Sequence, residues 1–237
     1  MRSAVVRVVA SVIPKGSRSR HSSRAVSPRN DKQVRYLNLL KSIDQPNVVI
    51  ATGSAGTGKT FLATHTGVQK LIDNEVRKLV ITRPAVSVDE QHGFLPGTLE
   101  KKMEPWIRPV LDVLIQYYPR SKIDMLFKDQ VIEVCPLAFM RGRTFEDSYI
   151  ICDEAQNTTI NQMLMVLTRI GRNSKLVITG DPDQYDRGFM DNGLSDLMSK
   201  YEMFDNHGMI ECIHFDIEDV ERHPVIPIVL DMYKYQG

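Results

Sequence analysis

Eight residues, Gly53-Ser54-Ala55-Gly56-Thr57-Gly58-Lys59-Thr60, limit what this chain can fold into more than any other stretch. They follow the apolar run Val48-Val49-Ile50-Ala51, which reads as a buried strand. They precede Phe61-Leu62-Ala63, which opens an apolar segment of helical period. Strand, glycine-rich turn, helix is the context that a phosphate-binding loop requires. The glycines let the backbone wrap so that its N–H groups converge on an anion. A helix starting near Gly58 adds its N-terminal N–H groups and the positive end of its dipole. The spacing points to nucleotide binding, with Lys59 reaching the β- and γ-phosphates and the Thr60 hydroxyl ligating Mg²⁺. The bland alternative is a glycine-rich turn with no ligand.

Two further stretches carry chemistry. Tyr149-Ile150-Ile151-Cys152-Asp153-Glu154 is an apolar strand that ends in two acids. Ligands of an open parallel sheet bind at the carboxyl ends of its strands. Asp153 there can hold Mg²⁺ through water, and Glu154 can polarise an attacking water as general base. Two acids capping a following helix would look the same in isolation; the upstream phosphate loop favours hydrolysis. Lys175-Leu176-Val177-Ile178-Thr179 is another strand, and it delivers Gly180-Asp181-Pro182-Asp183-Gln184 to the same edge. Gln184 can sense the γ-phosphate and the water, where the alternative is an ordinary Gly-Asp-Pro turn.

The rest of the chain reads as strands near residues 47, 78, 130, 148, 175 and 209, separated by helices or loops. This implies an α/β fold with a mostly parallel sheet flanked by helices on both faces. Helices are expected over 31–42, 58–73, 105–118, 121–128, 158–171, 192–201 and 225–235, with a loop over 91–105 and a basic turn at 141–145. In the first helix Val34, Leu37, Leu39 and Leu40 mark the apolar face. Gln33 is placed to read an adenine edge through its amide, with Tyr36 stacking nearby; a surface Gln is the alternative. In the helix after 158, Ile160, Met163, Leu164, Val166 and Leu167 are expected to face inward. His65, His92, His207, His214 and His223 have no ligand spacing and read as structural.

Charge is uneven. Residues 1–30 hold seven basic residues and no acid, which leaves 23 basic and 29 acidic residues, a net of −6, in the remainder. The basic Ser/Arg-rich segment 1–30 reads as a flexible tail, with an RNA-binding arm and an organelle transit peptide as alternatives. Residues 31–237 read as one domain. Three well-separated cysteines, Cys135, Cys152 and Cys212, fit a reducing compartment, and no apolar run approaches membrane-spanning length. A cytoplasmic location is the expectation.

Together these stretches resemble the PhoH-like ATPases, which are related to superfamily 1 helicases. Further matching motifs are Thr82-Arg83-Pro84-Ala85-Val86, Gly93-Phe94-Leu95-Pro96-Gly97, Met140-Arg141-Gly142-Arg143-Thr144 and Arg222-His223-Pro224, in family order over residues 31–231. The resemblance implies a RecA-like core that binds and hydrolyses ATP and is linked to RNA handling. It lends weight to Gln33 as an adenine reader. The segment Tyr185 to Asn192 looks more like the short phage-type members. No extra nucleic-acid domain is expected before the core. Superfamily 1 helicases place ATP between two cores and take arginines from the second. A single core would then need an arginine of its own or of a neighbour. Arg222 is the first candidate, with Arg141 and Arg143 behind it, which implies a head-to-tail homo-hexameric ring. Arg83, Arg141 and Arg143 are candidate contacts for single-stranded RNA, with DNA second. Two other functions fit the same loop: a P-loop phosphotransferase, and a nucleotide-gated interaction protein with little turnover.

Overall fold

A computed structural model of the protein describes residues 26–84, 108, 110–184, 192–205, 207–221 and 225–234. In chain order its elements are α1 (Asp31–Lys41), β1 (Val48–Gly53), α2 (Lys59–Ile72), β2 (Lys78–Thr82), α3 (Arg120–Lys128) and β3 (Ile132–Val134). Then come α4 (Leu137–Met140), β4 (Ser148–Cys152), α5 (Ile160–Leu167), β5 (Lys175–Gly180), α6 (Gly193–Met203), β6 (Ile210–Phe215) and α7 (Val225–Lys234). The strands pair in the order β3-β2-β4-β5-β1-β6, and every pair is parallel. Residues 110–114 are also helical and 115–118 form a turn.

The sheet is covered on both faces because its central strands carry apolar side chains at nearly every position. β1, β4 and β5 are buried along their whole length. Their side chains divide between two cores with the period of two that a strand imposes. Val49, Ala51, Tyr149, Ile151 and Val177 pack against α1, α2 and α3. Val48, Ile50, Ile150, Cys152, Leu176 and Ile178 pack on the other face, with Leu137, Met163, Val166, Leu194 and Leu197 from α4, α5 and α6. Since all strands run the same way, the phosphate loop, Asp153 and Gly180 emerge at one edge of the sheet. Among the described residues no helix is long and apolar enough to cross a membrane.

The helices hold two corrections. On α1 the buried face is Gln33, Tyr36 and Leu40, spaced three and four apart, while Val34 is 42% exposed. Tyr36 is fully buried and meets Phe215 edge-on at 5.7 Å, so it belongs to the core and cannot stack on a base. The helix expected from residue 158 starts at Ile160, because Thr159 caps it. Its hydroxyl accepts from the Gln162 N–H, and the Gln162 amide oxygen accepts from the Thr159 N–H. This phase buries Met163 and Val166 and leaves Leu164 59% exposed, so Leu164 does not face inward. The expected tail (1–25 of it), the loop 91–105 and the start of the helix at Pro105 lie outside the described residues.

Both ends of α1 are tied down. Asn30 caps its start, accepting from the Gln33 N–H at 2.8 Å. At its end the Lys175 ammonium, on β5, donates to the carbonyls of Leu39 (2.8 Å) and Pro46, and Lys70 on α2 donates to that of Lys41. These cations meet carbonyls at the negative end of the helix. Burial pushes the Lys175 amine down to about 8, and the neighbouring charge of Lys70 adds to the shift.

Among the described residues the edge strand β3 pairs only with β2, and it is held by a charge cluster. Both terminal nitrogens of Arg143 bind Glu133 (2.5 and 2.9 Å), Lys78 reaches the same carboxylate at 2.9 Å, and the Arg143 guanidinium lies 4.5 Å from the centre of the Phe145 ring. The Arg143 fork, helped by Lys78 and opposed by burial, holds the Glu133 carboxyl down to about 2 against an ordinary 4.5. A depressed carboxylate stabilises the fold above its unfolded value, and that contribution is lost as pH falls from about 4.5 towards 2. Glu133→Gln is therefore less stable at neutral pH. Its stability also falls less steeply across that acid window, by up to ~1.4 kcal/mol per pH unit, in denaturant titrations at a series of pH values. An unchanged acid slope would remove this role from Glu133.

A second expectation concerns Gly53. Its φ is +113°, and a Cβ there would stand 1.8 Å from the Phe215 carbonyl oxygen of β6. Gly53→Ala must displace β6 or the loop, at a cost on the order of 3 kcal/mol or more. Thermal unfolding reads this directly, and a variant that melts with the parent would contradict it.

Candidate nucleotide site

The phosphate loop leaves β1 at Gly53 and enters α2 at Lys59. Gly53, Gly56 and Gly58 all have positive φ, which lets so few residues reverse the chain. Within the loop the Thr57 hydroxyl donates to the Ser54 carbonyl at 3.0 Å. The Lys59 ammonium donates to the carbonyls of Gly53 (2.6 Å) and Ser54 (2.8 Å), so it lies along the loop it follows. A cavity of about 290 Å³ opens in front, lined by Gly56, Gly58, Lys59, Thr60, Asp153, Glu154, Asp181 and Gln184 among others. The three motifs singled out in the sequence thus meet at one place. Thr60 supplies a hydroxyl, Asp153 and Glu154 two carboxylates, and Gln184 an amide.

Asp153 is the joint between them. One of its oxygens, Oδ1, accepts from the Thr60 hydroxyl at 2.8 Å and from the Thr179 hydroxyl at 2.6 Å. Oxygen donors of this kind suit Mg²⁺, which takes one or two protein oxygens and fills its octahedron with water and phosphate oxygens. Glu154 has a left-handed backbone (φ 53°), an uncommon conformation for a residue other than glycine. Its Oε2 accepts from the Gln156 amide at 2.7 Å, and its Oε1 lies 3.7 Å from the Arg83 guanidinium at the end of β2. The other end of the Gln156 amide accepts from the Asp181 N–H at 3.1 Å. Gln156 is 1% exposed, so it acts as a fixed strut between the β4 and β5 ends. Asp181 shapes the turn after β5. Its carbonyl accepts from the Gln184 N–H at 3.0 Å and its carboxylate from the Asp183 N–H at 3.2 Å.

A second cavity of about 770 Å³ lies beside the first and shares Gly56, Gly58 and Phe61 with it; Arg29, Gln33 and Glu221 line it as well. Gln33 is buried rather than on the surface, and both ends of its amide are used within the protein. Its amide donates to the Thr57 carbonyl at 3.0 Å and accepts from the Arg29 N–H at 2.9 Å.

The arginines divide. Arg83 pairs with Glu154. Arg143 is engaged with Glu133, which competes with any role as a finger or phosphate contact. Arg141 is exposed, and Arg222 lies outside the described residues. Of the histidines, His65 packs against Tyr117, and His214 joins the Thr52 hydroxyl at 2.9 Å to Asp216 at 3.3 Å. His92 and His223 lie outside the described residues.

Two residues of the site had no role on sequence grounds. Gln156 ties the end of β4 to a backbone group 25 residues further on, which only the strand order brings near. Thr179 left a faint mark, a hydroxyl where an apolar strand reaches the sheet edge.

Comparison with known proteins follows the same lines. The large terminase of a thermophilic bacteriophage superposes with a TM-score of 0.56 at 15% identity, over 89% of this chain and 51% of that one. The same terminase in complex with ADP gives 0.53, also at 15% identity, over 87% and 50%. These likenesses show the RecA-like P-loop fold. In sequence, a PhoH-like protein of Synechocystis is 42% identical over 86% of this chain and 61% of its own length. One from Bacillus subtilis is 42% identical over 86% and 63%, and Protein PhoH of Escherichia coli K12 is 39% identical over 89% and 60%. The chain thus spans about three fifths of the length of these relatives. Residues 25–234 match the family described as PhoH-like protein, and with those identities the chain belongs to that family.

Proposed function

We propose that this protein binds ATP with Mg²⁺ and hydrolyses it, and that hydrolysis is coupled to single-stranded RNA. The observation that carries the reading is the convergence of Lys59, Thr60, Asp153, Glu154 and Gln184 on one cavity at the carboxyl edge of the sheet. In this reading the loop backbone and the α2 N-terminus cradle the phosphates. Lys59 moves from the loop carbonyls to the β- and γ-phosphates. Thr60 and Asp153 hold Mg²⁺, which when bound neutralises charge on the phosphate oxygens. Glu154 takes a proton from the attacking water, held for that task by the Gln156 amide. Gln184 reports the state of the γ-phosphate through the turn that Asp181 shapes. Gln33 reads the base by exchanging its present partners, the Thr57 carbonyl and the Arg29 N–H, for the base edge. A water-activating carboxylate beside the loop supports hydrolysis over phosphotransfer to a small molecule, and over a binding module with little turnover.

The charge that develops on the γ-phosphate calls for an arginine. We assign it to Arg222, of the same chain or of a neighbouring subunit in a head-to-tail ring. Arg83, standing beside Glu154 in the same chain, is the competing source. RNA coupling draws its support from the family resemblance and from the exposed Arg141.

Glu154→Gln is expected to keep ATP affinity and lose hydrolysis by on the order of 10²-fold or more; undiminished turnover rejects Glu154 as the base. Lys59→Ala should lose both. Addition of single-stranded RNA should raise the rate of the parent protein and leave Lys59→Ala silent, and a rate indifferent to RNA would remove that part of the reading. Sedimentation with ATP tests the ring: a monomer hydrolysing at full rate excludes an arginine from a neighbour.

A further inference from the structure

The cavity beside the phosphate loop contains an acid that the reading above leaves unused. We infer that Glu221 forms a sugar subsite, its carboxylate accepting hydrogen bonds from the 2′- and 3′-hydroxyls of a ribonucleotide. This rests on the proposal that the phosphates sit on residues 53–60 and the base near Gln33.

The argument is one of covalent connectivity. In any nucleotide the sugar joins phosphate to base, so it must lie at the junction of the sites that hold them. Gly56 and Gly58 line both cavities and so mark that junction. Glu221 is anchored there: its backbone N–H donates to the Gly56 carbonyl at 3.2 Å, and it lines the cavity that also contains Gln33. An ionised carboxylate only accepts, and a vicinal diol offers two donors. The same pairing of an acid with ribose hydroxyls recurs in dinucleotide-binding folds.

The present partners of the carboxylate leave it available. The Asn30 amide lies 3.5 Å away and the Arg29 guanidinium 3.8 Å, and Arg29 is 67% exposed. Long, solvent-exposed contacts of this kind hold a carboxylate weakly. The position of the segment does not depend on them. Lys32 binds Asp216 (2.5 Å) and Asp219 (2.9 Å), which fastens residues 216–219 to α1. Removal of the Glu221 carboxylate therefore leaves its surroundings in place.

The test is the affinity of the full chain for ADP, 2′-deoxy-ADP and 3′-deoxy-ADP by calorimetry, which needs no turnover. The parent protein should bind each deoxy analogue roughly tenfold more weakly than ADP. Glu221→Ala, which loses both bonds, should bind ADP more weakly than the parent binds either analogue, with the three ligands then within about twofold of one another. Glu221→Gln, which keeps the shape, should fall between. Equal affinity of the parent for all three ligands overturns the inference, as does a Glu221→Ala variant that keeps the parent's ratios. Uniform weakening of all three in the variant, ratios intact, would make Glu221 a latch between α1 and the loop. Failure of the parent to bind ADP at all would overturn the nucleotide reading itself, a different result from equal binding of all three. Should Glu221→Ala fail to fold, the parent's ratios and those of Glu221→Gln decide.

Discussion

A single carboxylate oxygen holds the functional edge of this protein together. Asp153 Oδ1 takes two hydroxyl hydrogen bonds, from Thr60 at the head of α2 and from Thr179 near the end of β5. Charge-assisted bonds of this length are the strong ones, and here they join three segments that are far apart in sequence. They connect only because β5 lies between β1 and β4 in the sheet. Moving β5 away from β4 would separate Thr179 from Asp153. The sheet order and the site geometry are therefore one constraint seen at two scales.

Glu154 and the turn after β5 are coupled in a similar way. Gln156 offers an amide with a donor at one end and an acceptor at the other, and both are used, on Glu154 and on the Asp181 N–H. A buried amide with both ends satisfied resists rotation, since turning it would leave two polar groups unpaired. A path of two hydrogen bonds thereby links the β5 turn to the Glu154 carboxylate. On its other side Glu154 meets Arg83, a longer and more exposed contact that gives way more easily.

Much of this is readable from the sequence for reasons that are local. β1, β2, β4 and β5 are apolar runs of five or six residues bounded by turn formers, and each lies within a residue of its expected limits. The phosphate loop, Asp153, Glu154 and Gln184 are legible because each follows a strand at its carboxyl end. Reading fails where side chains have to be aimed. Tyr36 is expected near a base because it neighbours Gln33 in sequence, and it does share that buried face, but nearly one turn further along the helix the face meets Phe215 of the core. Leu164 is apolar, yet it lies about 100° around the helix from Met163 and farther still from Val166, so a helix that buries that pair sends it outward. Arg143 looks like a free cation in a basic turn, and nothing local shows that β3 brings Glu133 to meet it. Gln156 and Thr179 need the full strand order before they acquire a role.

The buried lysines under α1 bear on how the molecule can move. Lys175 pins the end of that helix to β5, and the contacts of Asn30 and Lys32 pin its start to residues 216–221. Gln33 sits between two clamped ends. The wall that carries it is thus held in place by the fold itself, so little ordering entropy is left to lose when something enters the cleft. Displacing that wall would strip buried ammonium groups of their carbonyl partners, a cost that the ends of β2 and β5, with Arg83 and Gln184, do not carry.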